Sequence, residues 1–247
     1  MNFYVISCGY RAGGFSKKCI DSVAPSYGEI DKHIYVDDCS DDDTSTVLRR
    51  MPFNKHLDII INERRKYKIR NIIDIISRYG FGPEDVIIVI DGDDWVKEDC
   101  IEKVISKYKS GKYDYIYTNW EYSHNQEIGI SKPIPNDDWN PYANEWRTSA
   151  LSSFKVGLWN KINKKNFLDI SGNFFKVACD QAYILPMLEI LRTENNGYSR
   201  VGFINEPLYV YQFNENPHRL RLSENGVKDS YLGSVSSKFI RHRGFIP

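Results

Sequence analysis

The chain has 247 residues, 41% of them hydrophobic and 27% charged, a globular composition that excludes a disordered chain. Its 33 basic and 33 acidic residues cancel, which argues against nucleic acid as a partner and against a polybasic membrane binder. The longest apolar run, Val86 to Ile90, is far short of the ~20 residues of a bilayer span. No integral membrane segment is expected, and Met1-Asn2-Phe3-Tyr4 lacks the basic region and apolar core of a secretory signal.

In chain order, Phe3 to Ile6 reads as a strand and Ser16 to Val23 as a helix stopped by Pro25. His33 to Val36 is a second strand, Thr44 to Met51 a helix ended by Pro52, and Leu57 to Ile61 a third strand. Ile69, Ile72, Ile73 and Ile76 mark one face of a helix that Gly80 and Gly82-Pro83 terminate. Val86 to Ile90 is apolar on both faces, which predicts a strand at the centre of a parallel sheet. A helix over Cys100 to Tyr108 and a strand over Tyr113 to Tyr117 follow. Strands alternating with helices predict an α/β fold with a doubly wound sheet.

The second half is less regular. Asn119 to Arg147 is polar and Pro-rich and reads as a long surface loop, and Leu151 to Ile162 reads as helical. Asp180 to Leu191 is a further helix, in which Pro186 implies a kink or a late start. Val201 to Ile204 and Leu208 to Tyr211 read as short strands, and the basic tail from Lys238 to Arg243 as solvated. Five cysteines, an odd count without zinc or redox spacing, predict free thiols in a reducing cytoplasm, and hence a soluble, cytoplasmic protein. All five tryptophans lie between Trp95 and Trp159, where core packing is expected ahead of a ligand platform.

Two acidic clusters stand where strands end, which is where open parallel sheets bind ligands. Asp37-Asp38 follows the second strand, and Asp91-Gly92-Asp93-Asp94 follows the most buried one. Carboxylates gathered on one rim repel, and a hard divalent cation offsets that repulsion. Gly92 removes a side chain where a ligand could approach the backbone. Asp41 to Asp43 are expected only to cap the following helix.

The first ~120 residues resemble the inverting family 2 glycosyltransferases, which have the GT-A fold. Val5-Ile6-Ser7-Cys8-Gly9-Tyr10 is similar to the family's first strand, with Arg11 in the place of the usual Asn. Val36-Asp37-Asp38-Cys39-Ser40-Asp41-Asp42-Asp43-Thr44 resembles its VDDGS segment, with Cys39 in the Gly place. Ile69-Arg70-Asn71 resembles the Arg-Asn pair that opens its third helix, and Asp91-Gly92-Asp93-Asp94 its metal motif. Ala178-Cys179-Asp180 resembles the start of the helix carrying its catalytic base, with Cys179 where Glu is usual.

The resemblance implies a Rossmann-like, mostly parallel central sheet flanked by helices, with an irregular C-terminal acceptor-side portion. Residues 1–118 would form the nucleotide-sugar-binding half, and 119–247 the acceptor-binding and catalytic-base half of the same body. It implies transfer of a sugar, with inversion, from a nucleotide-sugar donor, most often a UDP-sugar, to a carbohydrate or other hydroxyl-bearing acceptor. By position, the backbone at Cys8 to Tyr10 and the side chain of Asp38 would hold the base, and Arg65 and Arg70 would lie near the nucleotide. Asp91 would face the ribose or the metal, Asp93 would bind Mn²⁺ or Mg²⁺ with Asp94 in support, and Asp180 would be the general base. His218 could reach the metal, and Trp120, Glu121, Tyr122, His124, Trp139, Trp146 and Arg147 could face an acceptor. Two alternatives are a sugar nucleotidyltransferase using Arg11 to Lys18 as a basic, Gly-rich phosphate loop, and an inactive GT-A domain that only binds carbohydrate or a partner.

Overall fold

The computed structural model describes residues 1–135, 137–213 and 229–247. Strands β1 (Phe3–Gly9), β2 (Lys32–Asp37), β3 (Leu57–Ile61) and β4 (Val86–Asp91) are parallel, in the order β3-β2-β1-β4. Their period of two splits the core. From β1 and β4, Ile6, Ile87 and Val89 point to one face, and Val5, Val86, Ile88 and Ile90 to the other. On the first face they meet α3 (Lys68–Tyr79), α5 (Val156–Asn160) and α6 (Cys179–Glu194). On the second they meet α1 (Gly14–Val23) and α4 (Cys100–Lys109). Pro25 ends α1 as expected, by opening a 3₁₀ turn over Ala24–Gly28. Gly80, with φ 64°, ends α3 in the left-handed conformation that glycine accepts without cost. α2 (Thr44–Arg49) precedes β3.

The structure corrects several expectations. Residues 151–162 are not one helix: Ser152–Lys155 forms β7, antiparallel between β4 and β6 (Tyr115–Tyr122), and only α5 follows it. The strand was masked because its serines are buried yet satisfied. Ser153 Oγ donates to the Ile116 carbonyl at 2.9 Å, and Ser152 Oγ pairs with Tyr183 OH at 2.9 Å. β4 is therefore central, but parallel to β1 only. β6 starts later than expected and takes residues 119–122 out of the predicted loop, because they pair with β8 (Val201–Tyr211). β8 is one strand with an irregular register beside Asn119. On α3 the buried stripe is Ile69, Ile72 and Ile75, with Ile73 and Ile76 half-buried at its side. α6 begins at Cys179 and runs through Pro186 unbroken. The division at 118/119 falls inside β6, so one eight-stranded sheet, closed by β5 (Trp95–Val96) beside β8, serves both halves.

In the basic tail Lys238 and His242 are exposed, as expected, but Arg241 and Arg243 are anchored rather than solvated. On α7 (Asp229–Arg243), Arg241 donates to the carbonyls of Pro141, Tyr142 and Asn144, and Arg243 to those of Lys165, Asn166 and Leu168. All five cysteines are free thiols. Trp120, Trp139 and Trp159 are buried in the core, as expected. No helix among the described residues is long and apolar enough to cross a membrane.

Candidate active site

β6 and β8 point the same way as β1 to β4, so the carboxyl ends of six strands share one rim. At its centre Cys8, the penultimate residue of β1, pairs with Asp91 on one side and Val36 on the other. The Cys8 carbonyl accepts Gly92 N–H at 2.9 Å and the Gly9 carbonyl accepts Asp38 N–H at 2.8 Å. The two acidic segments are thus sewn to the same strand end. Packing by itself requires Gly92 there. A Cβ at 92 would lie 2.6 Å from both Cα and N of Gly9, while Tyr35 OH donates to the Gly92 carbonyl at 2.7 Å.

Asp38 is buried, and its carboxylate is engaged in holding the next loop. Oδ1 accepts Asn62 Nδ2–H and Lys66 N–H at 2.9 Å each, and Oδ2 accepts Tyr67 N–H at 2.7 Å. Asn62 also donates to Asn71 Oδ1 at 2.8 Å, which explains the buried Asn beside Arg70. The loop so fixed carries Arg65, whose guanidinium carbon lies 3.7 Å from the Tyr10 ring centre and 4.4 Å from that of Tyr67. Arg65 Nε is buried with no hydrogen-bond partner among the described residues. Arg70 is not brought to this group: it is exposed, ion-paired with Asp74 at 2.8 Å on its own helix.

Asp91 and Asp180 converge on a residue that sequence reasoning missed. Lys68, the first residue of α3, places Nζ 2.6 Å from Asp91 Oδ1 and 2.7 Å from Asp180 Oδ1. Its signal was position alone, two residues before Arg70. Asp180 stands in the first turn of α6, half exposed, and its Oδ1 also accepts Tyr183 O–H at 3.1 Å. Lys68, Asp91 and Asp180, with Val89, Ser149, Ala150, Ser152, Ile184 and Tyr209, line an open pocket. Burial and the charges of Asp180 and Asp93 raise the Asp91 carboxyl above the usual range against the opposing pull of Lys68. Burial alone would lower the Lys68 pKa, but Asp180 and Asp91 outweigh it and raise it well above normal, so the ammonium stays charged.

Asp94, beside Asp91, is bonded to the end of β8. Its Oδ2 accepts Tyr209 O–H at 2.5 Å and its Oδ1 accepts Gln212 N–H at 2.7 Å, which ties the acidic turn to the end of β8. Burial, then Asp93 and Asp91, push its carboxyl well above the usual range. Among the described residues no three His, Cys, Asp or Glu side chains gather to hold a cation by themselves. The Asp91 and Asp93 pair suits a divalent cation whose remaining ligands come with a substrate, since such ions take one or two carboxylates plus phosphates and water. His218 lies outside the described residues.

The three departures from the family pattern have local explanations. Arg11 and Cys39 have φ of 54° and 62°, the region that Asn and Gly tolerate best. Arg11 is held there by a bidentate pair with Asp41, both contacts 2.5 Å, and Cys39 Sγ–H reaches the Glu63 carbonyl at 3.5 Å. Cys179 packs inward, donates to the Phe175 carbonyl at 3.3 Å, and burial pushes its thiol up to about 12. Asp43 makes no capping bond; instead Asp42 accepts Thr44 N–H at 3.0 Å. The cations of the Arg11 to Lys18 segment are spent locally. Arg11 is on Asp41, Lys17 on Asp21, and Lys18 lies 3.3 Å from the Trp95 ring centre. On the acceptor side, Trp139 is core, and Trp120 is covered so closely by Gly129 that a Cβ there would be 2.0 Å from the indole. Tyr122 and His124 instead pack edgewise, with ring centres 5.5 Å apart, beside Tyr211 and Phe213.

The family model described as "Glycosyl transferase family 2" matches residues 4–172. No curated protein matches the sequence. Among solved structures, residues 1–349 of S. aureus TarS in complex with UDP-GlcNAc are 15% identical, with 88% of this chain and 60% of that chain covered at a TM-score of 0.62. A longer S. aureus TarS structure is 14% identical, covering 86% and 37% at 0.59. The mannosyltransferase PcManGT from Pyrobaculum calidifontis, in complex with GDP-Man and Mn²⁺, is 14% identical, covering 87% and 58% at 0.58. These likenesses concern the fold, and the chain spans about 60% of the length of the first of them.

Proposed function

The chain belongs to glycosyl transferase family 2, and on that premise we propose that it transfers a sugar, with inversion, from a UDP-sugar to an acceptor hydroxyl. The observation that carries this reading is the convergence of Asp91 and Asp180 on Lys68 across one pocket. An acid from the strand that ends in the acidic motif and an acid from the first turn of α6 meet at one ammonium on the wall of an open pocket, which supports a reading in which both face the reacting groups.

Asp180 takes the proton of the attacking acceptor hydroxyl. Lys68 and Tyr183 both bind its Oδ1, which fixes the carboxylate and points to Oδ2 as the accepting oxygen. Attack forms the new C1–O bond as the bond from C1 to the diphosphate oxygen breaks, so the anomeric centre inverts in one displacement. Asp93 and Asp91 would hold Mn²⁺ or Mg²⁺, whose contribution there is to offset the charge that grows on the departing nucleoside diphosphate. Tyr10 and the strand end at Cys8 form the floor for the base, and Asp38 acts by fixing the loop that bears Arg65. Arg65 supplies a guanidinium to the donor, and Arg70 joins it only by leaving Asp74. A sugar nucleotidyltransferase would need the cations of residues 11–18 for phosphate, and those are engaged elsewhere.

The test is a panel of UDP- and GDP-linked glucose, galactose, GlcNAc and mannose with Mn²⁺, read as nucleoside diphosphate release and by NMR of the product's anomeric configuration. A UDP-sugar releasing UDP with inversion is the expected result. Pyrophosphate release, retained configuration, or no turnover with any donor would overturn the proposal.

A further inference from the structure

Lys68 has no place in the motifs that carry the family resemblance, yet it holds the centre of the pocket with a side chain only 19% exposed. Its ammonium is 2.6 Å from Asp91, one of the two carboxylates assigned to the cation. Asp94, which could complete a three-carboxylate site, is bonded away to Tyr209 and Gln212. A bare divalent ion arriving here therefore meets an Asp91 carboxylate already neutralised by an ammonium.

We propose that Lys68 is the resident counter-ion of Asp91, displaced only when a divalent cation arrives together with the donor's phosphates. The inference rests on reading Asp91 and Asp93 as the cation's ligands. An ammonium and a divalent cation on the same carboxylate lie a few ångströms apart and repel. The donor diphosphate changes both sides of that balance. It supplies oxygens to complete the cation's coordination, and it gives the ammonium a new anion beside Asp180, which it already touches at 2.7 Å. Lys68 thus keeps the acidic rim closed to free cations and couples cation entry to donor entry.

Titration with Mn²⁺ alone, followed by the EPR signal of the free ion, tests this without any turnover. Lys68→Met is expected to bind Mn²⁺ at least about tenfold tighter than the wild type, and Lys68→Arg to match the wild type. Adding UDP or GDP is expected to tighten wild-type Mn²⁺ binding at least about tenfold but that of Lys68→Met only about twofold. Lys68→Gln serves if thermal melting shows Lys68→Met unfolded. Equal Mn²⁺ affinity in the wild type and the uncharged variants, or equal tightening by nucleotide in the wild type and Lys68→Met, overturns the proposal. Where the Lys68 variants give that overturning result while Mn²⁺ uptake with nucleotide is still lost in Asp93→Ala, the role of Lys68 falls and the cation site stands. No uptake by any variant, with or without nucleotide, sinks the cation site as well.

Discussion

The two ends of the central sheet handle charge in opposite ways. At the amino ends of the strands, acids meet donors locally. Asp114 binds Arg200 through two bonds and Lys155 at 3.2 Å, Asp58 binds Lys32 at 2.9 Å, and Asp85 accepts Asn2 and Gly82 N–H at 2.8 Å each. At the carboxyl ends, Asp91 and Asp180 share one ammonium, and Asp94 is pushed toward its neutral form beside them. Satisfied pairs stabilise a fold, whereas crowded carboxylates cost stability and persist where chemistry uses them. The same residue type thus serves as structure at one end and, on the proposed reading, as a reactive group at the other.

The sharpest break of this contrast is Asp180→Asn. Turnover should fall by ~10²- to 10⁴-fold with donor affinity and melting temperature kept; near-full turnover would remove Asp180 from the mechanism. Asp114→Asn should do the reverse, because Arg200 and Lys155 lose their shared partner. A loss of about 2 kcal/mol in urea unfolding, with turnover per folded molecule intact, is expected. Burial holds the Asp114 carboxyl up, but Arg200 and Lys155 outweigh it and lower its pKa, so this contribution is full above the ordinary carboxylate range and lost on acidification.

A pH titration of stability sharpens the contrast further, through His33 near the start of β2. Its ring is fully buried with Ser7 Oγ at 3.0 Å from Nε2 and Tyr27 OH at 3.4 Å from Nδ1, and burial pushes its pKa down to about 3. The unfolded chain binds a proton there below its ordinary pKa and the folded chain does not, so stability is complete above pH ~6.5 and falls as pH drops toward 3. Between pH 7.5 and 5 the His33 share of the loss should be about 2 kcal/mol, and it should vanish in His33→Gln. The smallest effect belongs to Cys39→Gly. Relief of the left-handed backbone should add about 0.5 to 1 kcal/mol, measured by thermal unfolding, with no change in turnover.

Much of this was legible in the sequence because periodicity is local. The unbroken apolar run of β4, Gly80 at the end of α3, and the acidic segments after β2 and β4 were each visible in a short window. β7 was not, since its buried serines read as polar until β6 and α6 supply their partners. Asp38, a sequence candidate for the base, shows its hold on residues 62–67 only when the loop is folded over it.

The order of residues by itself determined the layered α/β architecture, the family pattern, and which acids stand at strand ends, because each depends on neighbours a few positions apart. Only the tertiary structure decided what those acids touch. That Lys68 bridges Asp91 and Asp180, that Asp94 faces β8, and that the glycine of the acidic turn makes room for Gly9 are contacts between segments far apart in the chain. Electrostatic partners are chosen by distance in space, and spacing along the chain carries no record of it.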